Sequence, residues 1–307
     1  MKIMVTGGEG LVGNSLRRLE KERESMHQIV TVSRKDANLT DRNQVDALFK
    51  KYMPDYVIHT AARVGGIGRN LESPANQFTD NILMNTHVID AAYHHGVKKL
   101  IAYSSVCAFP LDLQVLSEEK LQDGPPYPAH GAYAYSKRMV DVQIEAYRKQ
   151  YGVQYCSIIP GNIFGENDNF NLKDGHVVPS LIHKSYLAKK NGTSLSVWGD
   201  GTPLREFIYV DDLSRVCLSL LEVDEMPQKL LVSGSEFSIK QIVDLITNYT
   251  GVENIEWDTS KPNGQLRRPT DKTLFNKYFP NNTTTSVELS IEKTVKWFFE
   301  NYENARK

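Results

Sequence analysis

The run Ile101-Ala102-Tyr103-Ser104-Ser105-Val106-Cys107-Ala108-Phe109-Pro110 leads an apolar segment into a polar turn that carries two serines and a cysteine. Further on, Tyr133-Ala134-Tyr135-Ser136-Lys137 sets a tyrosine and a lysine at i and i+4, one turn apart on a single helix face. A neighbouring ammonium favours a phenolate, so the pair is expected to bring Tyr133 below the usual tyrosine value of about 10. Tyr133 is then expected to exchange a proton with a carbonyl/alcohol pair, while Ser105 supplies a hydrogen bond to the same oxygen. Tyr135 lacks such a partner, because Met139 stands four residues beyond it. Free cysteine is among the most buried residue types, so Cys107 alone reads as core, as do Cys156 and Cys217. His176 alone reads as a capping or loop histidine. His27, His94, His95, His130 and His183 have no supporting context.

A second constellation lies at the start. Val5-Thr6-Gly7-Gly8-Glu9-Gly10-Leu11-Val12-Gly13 places three spaced glycines directly after an apolar strand and at the opening of a helix. Glycines let the backbone approach a pyrophosphate, whose charge settles on the helix N-terminus. This is a dinucleotide turn. The second strand ends Thr31-Val32-Ser33-Arg34-Lys35-Asp36, so Arg34 and Lys35 precede the acid. A cation there accommodates the extra phosphate of NADP, whereas an acid would hold the NAD ribose. The reading is therefore NADP, against which the Glu9 carboxylate weighs mildly, and Asn38-Leu39 is expected along the adenine.

The elements that must hold these groups alternate. Strands are expected at 2–6, 29–32, 56–59, 99–103 and 155–160, with helices at 11–23, 41–51, 76–94 and 133–149 between them. Thr40 or Asp41 is expected to cap the second helix. The pattern predicts an α/β fold with a doubly wound parallel sheet, a Rossmann arrangement. After residue 164 the alternation is lost. Gly199-Asp200-Gly201-Thr202-Pro203 reads as a turn between two strand-like runs, and later helices are expected at 239–249 and 290–302. The expected division is a nucleotide-binding domain over 1–164, joined by part of 205–235. A smaller α/β substrate-binding domain is built from the interleaved segments 165–204 and 236–307.

Composition excludes several classes. The 307 residues are 40% hydrophobic and 24% charged with a formal net charge of −1, and no basic stripe suited to nucleic acid appears. The mixed-sign run 17–24 reads as a solvated helix face. The chain opens directly into a strand and has no membrane-length apolar run. Three dispersed cysteines argue for a reducing compartment, against disulfides and against a metal site. A cytoplasmic protein without a membrane partner is expected, and Asn-x-Thr triplets at Asn38, Asn191 and Asn248 read as chance matches.

Glycine turn, Ser105, Tyr133/Lys137 and a late C-terminal region together resemble the extended short-chain dehydrogenase/reductase superfamily of nucleotide-sugar enzymes. Within it, 59–66 (HTAARVGG), the Ser105-x-Cys107 pair, 167–170 (NDNF), 175–179 (GHVVP) and 197–207 (VWGDGTPLREF) resemble the GDP-L-fucose synthase family in order along nearly the whole chain. The resemblance implies NADPH-dependent conversion of GDP-4-keto-6-deoxy-D-mannose to GDP-L-fucose by a homodimer. It implies that Cys107 and His176 act as base and acid at the carbons flanking the ketone. It implies cofactor contacts from Ala62, Tyr103, Ser104, Lys137, Pro160, Asn162, Ile163 and His176, and substrate contacts from Lys184, Trp198, Arg205 and Asn263.

Arg205 is expected to clamp a diphosphate, the alternative being an ion pair with Glu206. The dimer contact would use the Tyr133/Lys137 helix and the long helix before it. Met84, Val88, Ala91 and Ala92 could serve that contact or an internal core. Asn263 stands where the family often has Asp and Gly161 where Thr is common, and the role of Arg63 is open. Another nucleotide-sugar 4-epimerase or 4,6-dehydratase, or a non-catalytic NADP-binding sensor, are the competing readings.

Overall fold

The structure is a computed structural model and describes residues 1–22, 27–65, 72–261, 263 and 265–307. Six strands run parallel in one sheet: β1 Lys2–Thr6, β2 Gln28–Val32, β3 Tyr56–His59, β4 Lys99–Tyr103, β5 Gln154–Pro160 and β9 Lys229–Val232. Their spatial order is β2-β1-β3-β4-β5-β9. The register of β1 sets Ile3 beside both Ile29 and Tyr56. Because side chains alternate across a strand, Ile3, Val5, Ile101 and Ile158 enter one core while Met4, Val57, Leu100 and Tyr155 enter the other. Burial on both faces explains why these strands read as continuous apolar runs.

Helix α1 Leu11–Lys21 packs with α6 Val210–Glu222 on the first face. Asp211 stitches them, accepting from the Ser15 hydroxyl at 2.5 Å and pairing with Arg18. Helices α2 Arg42–Tyr52, α3 Pro74–His94 and α4 Gly131–Tyr151 cover the second face. Asp41, rather than Thr40, caps α2 by accepting from the backbone N–H of Asn43 and Gln44. Val88, Ala91 and Ala92 are buried in the internal core with Val140 and Ile144, so they supply no outer stripe, and Met84 is half-buried. The expected end of α1 at Arg23 lies outside the described residues, as do positions 66, 262 and 264 of the quoted motifs.

The later part forms two further sheets. β6 Asn162–Phe164 pairs in parallel with β8 Leu204–Tyr209, which pairs antiparallel with β10 Ser235–Ser238. β7 Leu195–Trp198 pairs instead with β11 Ile255–Asp258. The two runs flanking Gly199–Pro203 therefore belong to different sheets and do not form one ribbon. Their joint is fixed from outside: Gly199 N–H bonds the Asp258 carbonyl at 2.9 Å, and Lys240 N–H bonds the Gly201 carbonyl at 2.9 Å. Gly201 has φ 79° and approaches the Trp257 ring so closely that a Cβ would lie 2.5 Å from it.

Helices α5 Val177–Asn191, α7 Ile239–Thr250, α8 Thr273–Tyr278 and α9 Val287–Glu300 complete the described elements. The last begins before the expected residue 290 because Ser286 caps it, accepting from Leu289 N–H. No helix among the described residues is long and apolar enough to cross a membrane.

Candidate active site

The site lies at the carboxyl ends of the parallel strands, where the order reverses between β1 and β3. The glycine turn after β1 is shaped for close backbone approach. A Cβ on Gly8 would meet Thr31 Cβ at 2.5 Å, and one on Gly13 would meet Gly8 Cα at 2.6 Å. Gly10 occupies the N-cap of α1 with no side-chain cap, leaving that N-terminus for an anion. Glu9 does not face a phosphate alone, because Lys35 Nζ holds its carboxylate at 2.7 Å. Arg34 and Asn38 are exposed at the end of β2, and Leu39 packs on the core beneath. The turn fits a pyrophosphate, and the basic end of β2 fits an added phosphate.

After β3, His59 is fully enclosed: Nδ1 meets Thr6 Oγ1 at 2.7 Å and Nε2 meets Asn85 Oδ1 at 3.0 Å. Burial, with Lys137 nearby, pulls its pKa down to about 3, so it is a neutral structural ring. The next residues of this segment, Ala61 and Ala62, are half-buried. Arg63 pairs with Asp80 at 2.6 Å, which gives that open position a structural partner. At the far side of the sheet, Pro160 ends β5, and Asn162 donates to the Glu206 carbonyl at 2.8 Å. Ile163 packs on the main core. A Cβ on Gly161 would lie 3.2 Å from Ser233 Cβ, so a larger residue there must displace Ser233.

The end of β4 holds the chemical groups. Ser104 donates to the Lys137 carbonyl at 3.1 Å, locking helix to strand. Lys137 Nζ donates to the Tyr103 carbonyl at 2.8 Å and is only 2% exposed. Burial lowers its pKa to about 8. Ser105 begins a 3-10 turn over Val106–Ala108 by accepting from Cys107 N–H at 3.2 Å. The Ser105 side chain lies near enough to Tyr133 and Cys107 to favour the charged form of each. The hydroxyl, the phenol and the thiol thus gather at one turn, the first two placed to serve a ketone oxygen.

The electrostatic expectation for Tyr133 is reversed. Burial raises the Tyr133 pKa above the ordinary phenol value, and Cys107 adds to the rise against the Ser105 hydrogen bond. The Lys137 ammonium is committed to the Tyr103 carbonyl and lies 6.0 Å from the Tyr133 ring centroid, too far to overcome desolvation. Burial also raises the Cys107 thiol, opposed by Ser105 and by Arg268, so the thiol is not substantially ionised near neutrality. His176 occupies the N-cap of α5 but makes no side-chain cap. The residue is exposed, yet desolvation lowers its pKa and Arg306 acts the same way, and it lies within electrostatic reach of His130.

Substrate-side groups fall into two sets. Lys184, half-buried on α5, lies 5.3 Å from the Trp198 ring centroid, and burial lowers its pKa. Asn263 Oδ1 accepts from Asp200 N–H at 2.9 Å. An aspartate there would bring a second carboxylate beside Asp200. Arg205 stands apart from this set and makes no pair with Glu206. The Glu206 carboxylate accepts from Thr270 at 2.6 Å, because neighbouring residues of a strand face opposite ways. Arg205 instead faces Arg268.

Sequence reading missed Arg268, His130 and Arg306. His130 precedes the Tyr133 helix, and burial lowers its pKa together with His176 and Arg268, so it belongs to the cleft. His27, His94, His95 and His183 instead meet Glu222, Asp90, Asp46 and the Phe170 carbonyl. Cys156 and Cys217 are fully buried. Among the described residues no three His, Cys, Asp or Glu side chains cluster for a metal.

Residues 3–233 match the NAD dependent epimerase/dehydratase family. A GDP-L-fucose synthase of Dictyostelium discoideum is 38% identical over 99% of this chain and 97% of its own length. One from Escherichia coli K12 is 31% identical over 99% of this chain and 98% of its own. The crystal structure of a GDP-L-fucose synthetase from Naegleria fowleri bound to NADP is 38% identical. It superposes with a TM-score of 0.93, covering 100% of this chain and 95% of that one.

Proposed function

We propose that this chain, which belongs to the NAD dependent epimerase/dehydratase family and within it to the GDP-L-fucose synthases, converts GDP-4-keto-6-deoxy-D-mannose to GDP-L-fucose with NADPH. The observation that carries the reading is the gathering of Ser105, Tyr133 and Cys107 at the end of β4, where the Ser105 hydroxyl accepts from Cys107 N–H at 3.2 Å. A 4-keto sugar is acidified at C3 and C5, so a proton-exchanging thiol beside ketone-polarising groups suits epimerisation followed by reduction. NADPH, when bound in the glycine cradle, supplies the hydride that reduces C4.

The chain's own groups do the rest. Ser105 and Tyr133 hydrogen-bond the C4 oxygen and so stabilise the enolate charge that forms when C3 or C5 loses a proton. Cys107 takes that proton as thiolate, and His176 returns one on the opposite face as imidazolium. Desolvation disfavours the charged form of each, so both rest largely uncharged. In the last step Tyr133 donates its phenolic proton to the C4 oxygen. Its raised pKa suits a donor, since the phenol stays protonated until charge develops on its neighbour. Lys137, an ammonium at neutral pH held by the Tyr103 carbonyl, would orient the cofactor ribose and add positive charge on the Tyr133 side of the site.

Gly7, Gly8, Gly10 and Gly13 with Arg34 hold the NADPH phosphates, and Asn38, Leu39, Ala62, Asn162 and Ile163 line its length. Lys184, Trp198, Asn263 and Arg205 hold the GDP portion. In this reading 1–164 and part of 205–235 serve the cofactor, and 165–204 with 236–307 serve the nucleotide sugar. A homodimer forms through α3 and α4, supported by Phe78, Tyr135, Met139 and Val142, which are exposed on those helices. The working compartment is the cytoplasm.

The test is substrate-dependent NADPH oxidation, with the product compared chromatographically with GDP-L-fucose. Formation of GDP-L-fucose supports the reading; reduction without inversion at C3 and C5, or no oxidation at all, rejects it.

A further inference from the structure

Beyond β11, residues 265–271 form a strap stitched to both sides of the cleft. Leu266 carbonyl accepts from Leu204 N–H at 2.8 Å, and Thr270 Oγ1 donates to Glu206 at 2.6 Å, tying the strap to β8. On the other side, Pro269 carbonyl accepts from Leu116 N–H at 2.9 Å and Asp271 N–H donates to Leu116 carbonyl at 2.7 Å. Gln265 adds a bond to the Leu111 carbonyl at 3.1 Å. Residues 111–116 are the loop that follows the Cys107 turn, so the strap is registered to that turn.

Arg268 lies at the centre of this strap. Its Nη2 donates to the Pro110 carbonyl at 2.9 Å, three residues after Cys107, while its Nε is buried with no hydrogen-bond partner. A guanidinium held at the base of the turn with an unspent donor is oriented for negative charge in the cleft.

We propose that Arg268 is a positioning residue for the proton-abstracting thiol, held by the strap and the Pro110 carbonyl so that its guanidinium stabilises the Cys107 thiolate. The proposal rests on the epimerase reading of Cys107 given above. The groups facing the sulfur are Ser105 from its own turn, Tyr133 from α4 and Arg268 from the strap. Of these only Arg268 brings a full positive charge, and burial raises the thiol against it. Arg268 in turn faces His130 before α4 and Arg205 on β8, both of which disfavour additional positive charge. A thiolate offsets the mutual repulsion of the Arg205 and Arg268 guanidiniums. The competing use of the Arg205/Arg268 pair is to grip the diphosphate, with no effect on the sulfur.

The test is alkylation of Cys107 by iodoacetamide in the full chain without cofactor, followed by peptide mass spectrometry between pH 6 and 10. Cys107 is half-buried and Cys156 and Cys217 are fully buried, so modification at the latter two reports unfolding. Arg268→Gln retains a donor for Pro110 but removes the charge; Arg268→Lys retains the charge. Loss of an adjacent opposite charge should slow alkylation at pH 7 by about tenfold and move its midpoint up by about one pH unit in Arg268→Gln. Arg268→Lys should stay within about threefold of wild type under the same reasoning. Wild-type alkylation in Arg268→Gln overturns the proposal, and a raised KM for the nucleotide sugar with that unchanged thiol assigns Arg268 to the diphosphate. Wild-type failure to make GDP-L-fucose would instead reject the functional reading, whatever the alkylation profile.

Discussion

Lys137 carries an ammonium where only 2% of the residue meets water, and burial draws its pKa from 10.5 to about 8. In the unfolded chain it titrates near 10.5. Below pH 8 both states hold the proton, and the folded state bears the whole penalty of a buried charge. At about 1.4 kcal/mol per factor of ten in proton affinity, that penalty is about 3 kcal/mol. Between pH 8 and 10.5 the unfolded state binds more protons, so the penalty fades and this residue's contribution to stability rises with pH. Lys137→Met removes the charge but leaves the Tyr103 carbonyl without its donor at 2.8 Å, a loss of about 1 kcal/mol.

The net expectation at pH 7 is a variant about 2 kcal/mol more stable than wild type, a few degrees in Tm. Near pH 10.5 the order should reverse, because wild type then keeps the hydrogen bond without the penalty. Urea unfolding of both proteins at pH 7 and pH 10.5 measures this directly. The variant's NADPH-dependent reduction should meanwhile fall by about two orders of magnitude or more. A variant less stable at pH 7, by an amount that does not change with pH, would refute the reasoning.

Gly8→Ala drives a methyl to 2.5 Å from Thr31 Cβ and should cost about 1–3 kcal/mol while weakening NADPH binding. A melt together with a cofactor fluorescence titration tests it, and wild-type values in both would contradict the close approach. Ser238→Ala removes a capping box in which Ser238 and Gln241 bond each other's backbone N–H groups. It should cost about 1 kcal/mol in urea unfolding, against no change if the cap is unimportant. Met139→Glu with Val142→Glu charges an exposed apolar face of α4, and light scattering should report a dimer for wild type, as proposed, and a monomer for the variant. An unchanged mass would move the dimer contact elsewhere.

How much of this was legible in the sequence depends on the range of the interactions involved. The parallel strands read clearly because both faces of residues such as Met4 and Val5 are buried, and a continuous apolar run is a local signal. The glycine turn and the Tyr133/Lys137 spacing are equally local. Helix ends were less certain, because a cap such as Ser286 changes the start of α9 by a few residues. The sheets containing β7 and β8 were not legible, since their partners lie far along the chain and one short turn carries the switch between them. Arg268 is more than a hundred residues from Cys107 in sequence and meets its turn only through the strap. The raised Tyr133 and Cys107 values depend on burial, which residue spacing does not supply.

The central claim is that Cys107 handles the protons at C3 and C5 while Ser105, Tyr133 and Lys137 serve C4. The measurement that tests it most directly compares wild type with Cys107→Ser on GDP-4-keto-6-deoxy-D-mannose and NADPH in D2O, with products resolved by proton NMR. The account predicts GDP-L-fucose carrying deuterium at C3 and C5 from wild type. From Cys107→Ser it predicts little fucose, or a reduced sugar that keeps its original hydrogens at both carbons. GDP-L-fucose formed by Cys107→Ser at the wild-type rate, with full deuterium incorporation, would contradict it.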